Sequence, residues 1–263
     1  MNFKKTLLLF FILSFASQLF ANDRKFTYLY QSTVMGKGER EIEIWTTTRV
    51  GKYTGYFARI DNRLEFELGV TKKLQTAFYI NFSNTTVSDE SGANKTEFKF
   101  RGISSEWKYQ FTSPLSDALG FALYTELGLN TDEVELESKL ILDKKINKTT
   151  LALNITFEPE WKLSSGKSET ETKLEGSFGL SYPLAQNIHV GFEMRQHNVF
   201  TSAGLEHSAF FGGPVISYSG DEWWATLTLM PQIAGFKGKS GGSKLNLNEY
   251  EKIQARFMFA FNL

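Results

Sequence analysis

Residues 119–129 read Leu119-Gly-Phe-Ala-Leu-Tyr-Thr-Glu-Leu-Gly-Leu129. Leu119, Phe121, Leu123, Leu127 and Leu129 fall on one parity. Gly120, Ala122, Tyr124, Glu126 and Gly128 fall on the other. Successive side chains of a β-strand point to opposite faces, so this stretch is a strand with one apolar and one polar face. Working outward, the same pattern recurs almost end to end. Leu64, Phe66, Leu68 and Val70 oppose Arg63, Glu65 and Glu67, and Val134, Leu136, Leu140 and Leu142 oppose Glu133, Glu135, Glu137 and Lys139. Near the end, Ile253, Ala255, Phe257, Phe259 and Phe261 oppose Lys252, Gln254, Arg256, Met258 and Asn262. Twelve such segments can be marked: 40–49, 60–70, 74–83, 96–111, 118–129, 133–142, 149–158, 169–182, 188–197, 208–218, 222–233 and 249–262. The fourth changes phase near Gly102, as a bulge would cause. The tenth carries Gly212, Gly213 and Pro214 and is the least regular.

The connections carry separate information. Those after the even-numbered segments are brief: Thr71–Lys73, Thr112–Asp117, Asp143–Lys148, Pro183–Asn187 and Ser219–Asp221. Those after the first, third, seventh, ninth and eleventh are long; Asn130–Asp132, after the fifth, is a short exception. Short turns at one end and long loops at the other imply an all-β fold, a single antiparallel up-and-down transmembrane β-barrel of about 12 strands. The short turns are then periplasmic, the long loops extracellular, and both termini periplasmic. Leu123, Leu153 and Phe192 are expected to face acyl chains, while their neighbours Ala122, Ala152 and Gly191 face the lumen. Trp107, Tyr109, Phe111, Tyr182, Trp223 and Phe261 fall near periplasmic strand ends and form a candidate aromatic girdle.

The first 21 residues read as a secretory signal peptide. Lys4 and Lys5 give a positive start, Thr6 to Phe15 an apolar core, and Ala21 a small residue for cleavage. Residues 22–39 then form an N-terminal periplasmic segment, and 40–263 the barrel. Beyond residue 21 no run is long and apolar enough for a membrane helix. The chain has no Cys, which excludes a lipid anchor and argues against a disulfide-stapled domain. Without the signal, 27 basic residues stand against 29 acidic ones, so no basic field invites nucleic acid. The ending Arg256-Phe-Met-Phe-Ala-Phe-Asn-Leu263 resembles the C-terminal insertion signal of outer-membrane barrels. It points to the barrel-assembly machinery and outer-membrane lipid as partners, and to a Gram-negative outer membrane as location.

Three stretches carry a further resemblance. They are Phe26-Thr-Tyr-Leu-Tyr-Gln, then Gly36-Lys-Gly-Glu-Arg-Glu-Ile-Glu-Ile-Trp-Thr-Thr, and Asn62-Arg-Leu-Glu-Phe-Glu-Leu-Gly-Val-Thr-Lys-Lys-Leu-Gln-Thr-Ala-Phe-Tyr. Together they resemble an uncharacterised family of bacterial outer-membrane β-barrel proteins. That resemblance implies fold and location and brings no catalytic or binding residues.

Chemistry-bearing residues are sparse. His189 and His197 share the lumen parity but stand eight residues apart, about 27 Å along an extended strand, too far to share a metal. His207 falls in a long loop. His207-Ser208 are adjacent, and no His-x-Ser pair of the outer-membrane lipase kind occurs. Gly-Lys-Gly at 36–38 and Gly-Lys-Ser-Gly-Gly at 238–242 lack the strand–helix context of a phosphate loop. Asn84, Asn94, Asn147 and Asn154 begin Asn-x-Ser/Thr triplets, and Asn154 faces the lumen. No catalytic residue, metal or cofactor is indicated, and no enzyme is expected.

One constellation stands out. Glu126, Glu133, Glu135, Glu137, Glu158, Glu169 and Glu171 point inward in the outer half of strands five to eight. Arg49, Arg63, Lys99, Arg101, Lys252 and Arg256 point inward in the outer half of strands twelve, one, two and four. An acidic wall then faces a basic wall. Either these charges line a constriction, or they pair locally and close the barrel. The leading function is a channel or transporter for a small molecule or ion with a charged lumen. The alternatives are a closed barrel serving as anchor or surface-binding protein, an outer-membrane enzyme, or a soluble periplasmic β-sandwich.

Overall fold

Alternating segments that bury one face and leave the other to an apolar solvent can satisfy their backbone only by pairing all round. The computed structural model, which describes residues 23–88, 91–163 and 169–263, shows that arrangement. Its strands are β1 (Arg40–Val50), β2 (Phe57–Gly69), β3 (Leu74–Ser88), β4 (Asn94–Thr112), β5 (Gly120–Asn130), β6 (Glu133–Ile146), β7 (Thr149–Lys162), β8 (Glu169–Pro183), β9 (Ile188–Thr201), β10 (Gly204–Ser219), β11 (Trp223–Lys237) and β12 (Ile253–Asn262). Each pairs antiparallel with its sequence neighbours, and β1 pairs with β12, Ile42 opposite Phe261, to close the barrel. No sheet edge is left open.

The outward parity is apolar and the inward parity is not. Ile42 and Ile44 of β1 are exposed, while Glu41 and Glu43, which alternate with them, are at most 1% exposed. Leu123, Leu153 and Phe192 all lie on the outer surface. No described helix is long and apolar enough to cross a membrane.

The expected phase change in β4 is a bulge. Asn81 pairs with Gly102 and Phe82 with Phe100, which leaves Arg101 unmatched. Gly102 has φ +144°, and a Cβ there would fall 2.2 Å from the Leu129 carbonyl oxygen, so glycine is needed. β10 is continuous, but its pairing with β11 skips residues 212–214, where Pro214 has no N–H to give.

The strands run further on the long-loop side than the alternation does. β3 reaches Ser88, β7 reaches Lys162, and β9 with β10 leaves only 202–203 between them. Asn84, Thr85 and Thr86 keep the backbone ladder while dropping the apolar face, so hydrophobic periodicity stops before pairing does. His207, read as a loop residue, therefore sits in β10.

The lumen in the short-turn half is packed solid. Tyr30 clusters there with Trp45, Ala122, Tyr124, Ile141 and Trp224. Phe26 and Leu29 cluster with Ala152 and Val215. Each cluster is centred on a residue that precedes β1. The stretch read as a periplasmic segment folds back into the barrel, and Ala122 and Ala152, on the lumen face as expected, pack against it. The stretch read as a signal peptide, 1–21, lies outside the described residues.

Candidate functional site: a charged vestibule above an occluded lumen

A chain without regular structure inside a barrel must find partners for its backbone among wall side chains. Residues 24–35 do so. Glu193 of β9 accepts the N–H groups of Thr27 (2.9 Å), Tyr28 (2.9 Å) and Leu29 (3.1 Å). The Asn154 amide makes a two-way pair with Tyr30, accepting its N–H at 2.6 Å and donating to its carbonyl at 3.0 Å. Asp143 accepts the Ser32 N–H and Gln75 the Met35 N–H. The Thr226 hydroxyl donates to the Arg24 carbonyl and Arg256 to that of Thr27.

Rings and guanidinium groups complete the plug. The Arg24 guanidinium lies 4.0 Å from the Tyr30 ring centroid and 4.7 Å from that of Trp45. Tyr28 is flanked by Arg195 at 4.4 Å and Arg256 at 4.0 Å. Such contacts are worth most when desolvated, and Tyr28 and Tyr30 are both buried.

Above the plug, toward the long-loop end, lies a cavity of about 600 Å³ with Tyr28 and Tyr30 at its floor. Glu133, Glu135, Glu137, Glu158 and Glu171 line it, as do Arg49, Arg63, Arg101 and Arg256. Glu126 sits deeper, buried against Arg63. Lys99 and Lys252 do not line the cavity. Lys99 bonds Asp132 at the rim (2.7 Å), and Lys252 is exposed just before β12, where its N–H caps the β1 end. For Glu169 the backbone position opposite Lys162 is described, and its side chain lies outside the described residues.

The charges largely pair. Arg101 bonds Glu133 at 2.9 Å, Lys139 pairs with Glu137, Lys162 with Glu171, and Lys173 with Glu158 and Glu160. Arg49 bridges Asp61 (2.9 Å) and Glu251 (2.8 Å), and Arg195 grips Glu175 at 2.5 Å. Arg256 makes no ion pair among the described residues, leaving a cation at the cavity floor. At the rim, the hydrogen bond from Lys99 holds the Asp132 carboxyl below its usual range.

The structure brings together residues that spacing alone kept apart. His197 and His207 both touch Tyr250, from the loop before β12, with ring centroids at 5.4 and 5.0 Å. His207 Nδ1 is 2.8 Å from the Tyr250 hydroxyl, and His197 Nδ1 is 2.9 Å from Glu175. Burial pushes the Tyr250 phenol up. His189 lies far from both, opposite Ser217 and Pro183 near the short turns. The residues that hold the plug, Glu193, Asn154, Asp143 and Gln75, escaped the sequence reading. A signal for them existed: Phe26, Tyr28 and Tyr30 alternate in a stretch that no barrel strand claims.

The six residues expected to form a girdle, Trp107, Tyr109, Phe111, Tyr182, Trp223 and Phe261, are all exposed on the outer surface toward the short turns. Several touch each other or neighbouring rings, as Tyr109 does Phe111 at 4.8 Å between centroids.

Comparison with solved structures places the fold among outer-membrane barrels. The COG4313 outer membrane channel from Pseudomonas putida F1 superposes with a TM-score of 0.68 at 7% identity, covering 90% of this chain and 100% of that one. The NanC porin gives 0.56 at 12% identity over 84% of this chain and 100% of its own. The KdgM porin gives 0.52 at 8% identity over 85% and 99%. These similarities speak to fold alone. Comparison with curated protein sequences gives no match. A family profile matches residues 18–263, and the chain belongs to that family, DUF6662, a family of unknown function.

Proposed function

We propose that this protein is an outer-membrane channel for small hydrophilic solutes or ions, closed at rest by its own N-terminal segment. One observation carries the reading: a charged, water-accessible vestibule of about 600 Å³ ends on a plug held, among the described residues, by hydrogen bonds, ring contacts and apolar packing. Such a plug can leave without breaking a covalent bond. The fold neighbours named above, a channel and two porins, support a conducting role. In this reading the short turns are periplasmic and solute enters from the vestibule side.

The packed lumen also supports a second reading, a permanently closed barrel that presents its vestibule as a binding surface. Single-channel recording in a planar bilayer separates the two. The channel reading expects discrete, intermittent openings from the refolded full chain. Complete silence, both from that chain and from variants with a loosened plug, would leave the closed-barrel reading standing.

A further inference from the structure

Beside the plug, at the short-turn end, the lumen holds an unusual concentration of acid. Glu41 and Glu43 of β1 point inward beside Glu65 and Glu67 of β2, and Glu41 pairs directly across from Glu67. Glu106 of β4 joins them, and all five are no more than 4% exposed. Among the described residues, the cations facing them are Arg24 of the plug and Lys108 of β4. Five buried carboxylates against two cations is a costly imbalance, because an uncompensated charge in a low-dielectric interior is strongly disfavoured.

The geometry is more specific than crowding. One carboxylate oxygen of each of Glu41, Glu43 and Glu67 lies within 4.8 Å of those of the other two. Each carboxylate is anchored by a neutral donor. Trp224 Nε1 donates to Glu41 Oε2 at 2.9 Å, Trp45 Nε1 to Glu43 Oε2 at 2.6 Å, and Gln75 Nε2 to Glu67 Oε1. That leaves Glu41 Oε1 and Glu67 Oε2 fully buried with no hydrogen-bond partner among the described residues, and Glu65 Oε2 likewise. A void of about 10 Å³, roughly the room one water needs, adjoins Glu67 between Arg24 and Lys108. Orphaned buried acceptors are rare and call for a missing partner.

We propose that Glu41, Glu43 and Glu67 form a divalent-cation site of calcium type. The donor set is oxygen only, which suits hard cations and not zinc or copper. Calcium–oxygen bonds of about 2.3–2.6 Å let opposite ligands stand about 4.6–5.2 Å apart. Magnesium, at about 2.0–2.1 Å, would require the carboxylates to close in by several tenths of an ångström. The indole and amide donors fix the carboxylates without neutralising them, which is what a ligand shell needs from its surroundings. Gln75 also accepts the Met35 N–H, so the ion would tighten the same side chain that anchors the end of the plug. This site does not depend on what crosses the barrel.

The test uses the full chain, refolded in lipid-free detergent, stripped with chelator and titrated with calcium chloride by calorimetry. One ion per chain is expected, with magnesium at least tenfold weaker. E41Q/E67Q should weaken calcium at least tenfold, whereas E135Q/E158Q, in the vestibule acidic cluster, should leave it unchanged. If E41Q/E67Q does not refold, E43Q replaces it with the same expectation. No saturable calcium binding by the wild type into the millimolar range would overturn the site, as would binding lost in E135Q/E158Q and kept in E41Q/E67Q. The first result would mean that protons, not a metal, balance these acids.

Discussion

Glu193 Oε2 accepts the backbone N–H of Tyr28 at 2.9 Å, joining a carboxylate in the middle of β9 to the aromatic centre of the plug. The same carboxylate takes the N–H groups of Thr27 and Leu29 and the hydroxyl of Thr228. It is fully buried. A wall residue that satisfies three consecutive amides is the strongest single attachment the segment has.

Removing it should loosen the plug. A buried amide left without an acceptor costs about 1–3 kcal/mol, and Glu193→Ala strands three. Hydrogen exchange should rise at residues 27–29 more than in the strand amides of β9, and planar-bilayer recordings should show more frequent openings. Glu193→Gln keeps one acceptor oxygen and should fall between. Unchanged exchange at 27–29 in the alanine variant would show that ring packing alone holds the segment.

The converse is a lock. Because the chain has no native cysteine, a single engineered pair is free of competition. Ser32 and Asp143 approach closely, the Ser32 N–H lying 3.2 Å from Asp143 Oδ1. Ser32→Cys with Asp143→Cys should abolish openings when oxidised and restore them on reduction. Equal conductance in both redox states would mean that permeation bypasses the segment or needs no displacement of it.

How much of this was legible beforehand follows from what periodicity can carry. Leu123 and Ala122 differ in face because of a two-residue repeat that any window of the sequence shows, and strand number, pairing and the Gly102 bulge came with it. The plug carries only the brief alternation of Phe26, Tyr28 and Tyr30, which does not name its partners. Its partners Glu193, Asn154, Asp143 and Gln75 come from β9, β7, β6 and β3, and nothing local marks one inward polar residue as a backbone acceptor. Closure also decides which charges meet. Arg63 of β2 reaches Glu126 of β5 past two intervening strands, and Arg101 of β4 reaches Glu133 of β6 past β5, so the two walls interlock where a reading by strand set them apart. Lys252 was misplaced because β12 begins one residue later, at Ile253.

The outer face gives a test of register. Leu123, Leu153 and Phe192 lie on the exposed apolar band. Arginine at any of them should cost about 2–4 kcal/mol in a lipid bilayer if they sit near mid-membrane. Asn130, inward at the cavity rim and bonded to Glu133, provides the contrast: Asn130→Arg should cost well under half as much. The readout is the urea midpoint of tryptophan fluorescence in liposomes. Comparable costs on the two faces would contradict the assigned orientation of β5.

The vestibule charges offer the last test. Glu133 is bound to Arg101 and Glu137 to Lys139, whereas Glu135 lies against Glu158 and Glu160, with Lys173 held by those two. Replacing Glu133, Glu135 and Glu137 together by Gln removes three negative charges and unpairs two cations. Arg256, already without an ion pair, then shares the cavity with a freed Arg101 and Lys139. Over a few ångströms in a water-filled vestibule these charges are poorly screened, so the field at the floor becomes positive. In an open channel the reversal potential under asymmetric potassium chloride should move toward that of chloride. In a closed barrel no current exists to shift, and the change should appear as lost stability, because breaking a buried pair on one side commonly costs about 3–5 kcal/mol; these mostly but not fully buried pairs should cost less. Measuring both on one variant separates the cases. An open channel whose selectivity is unmoved would show that ions pass away from β6, and that the permeation path does not follow the cavity between Glu135 and Arg256.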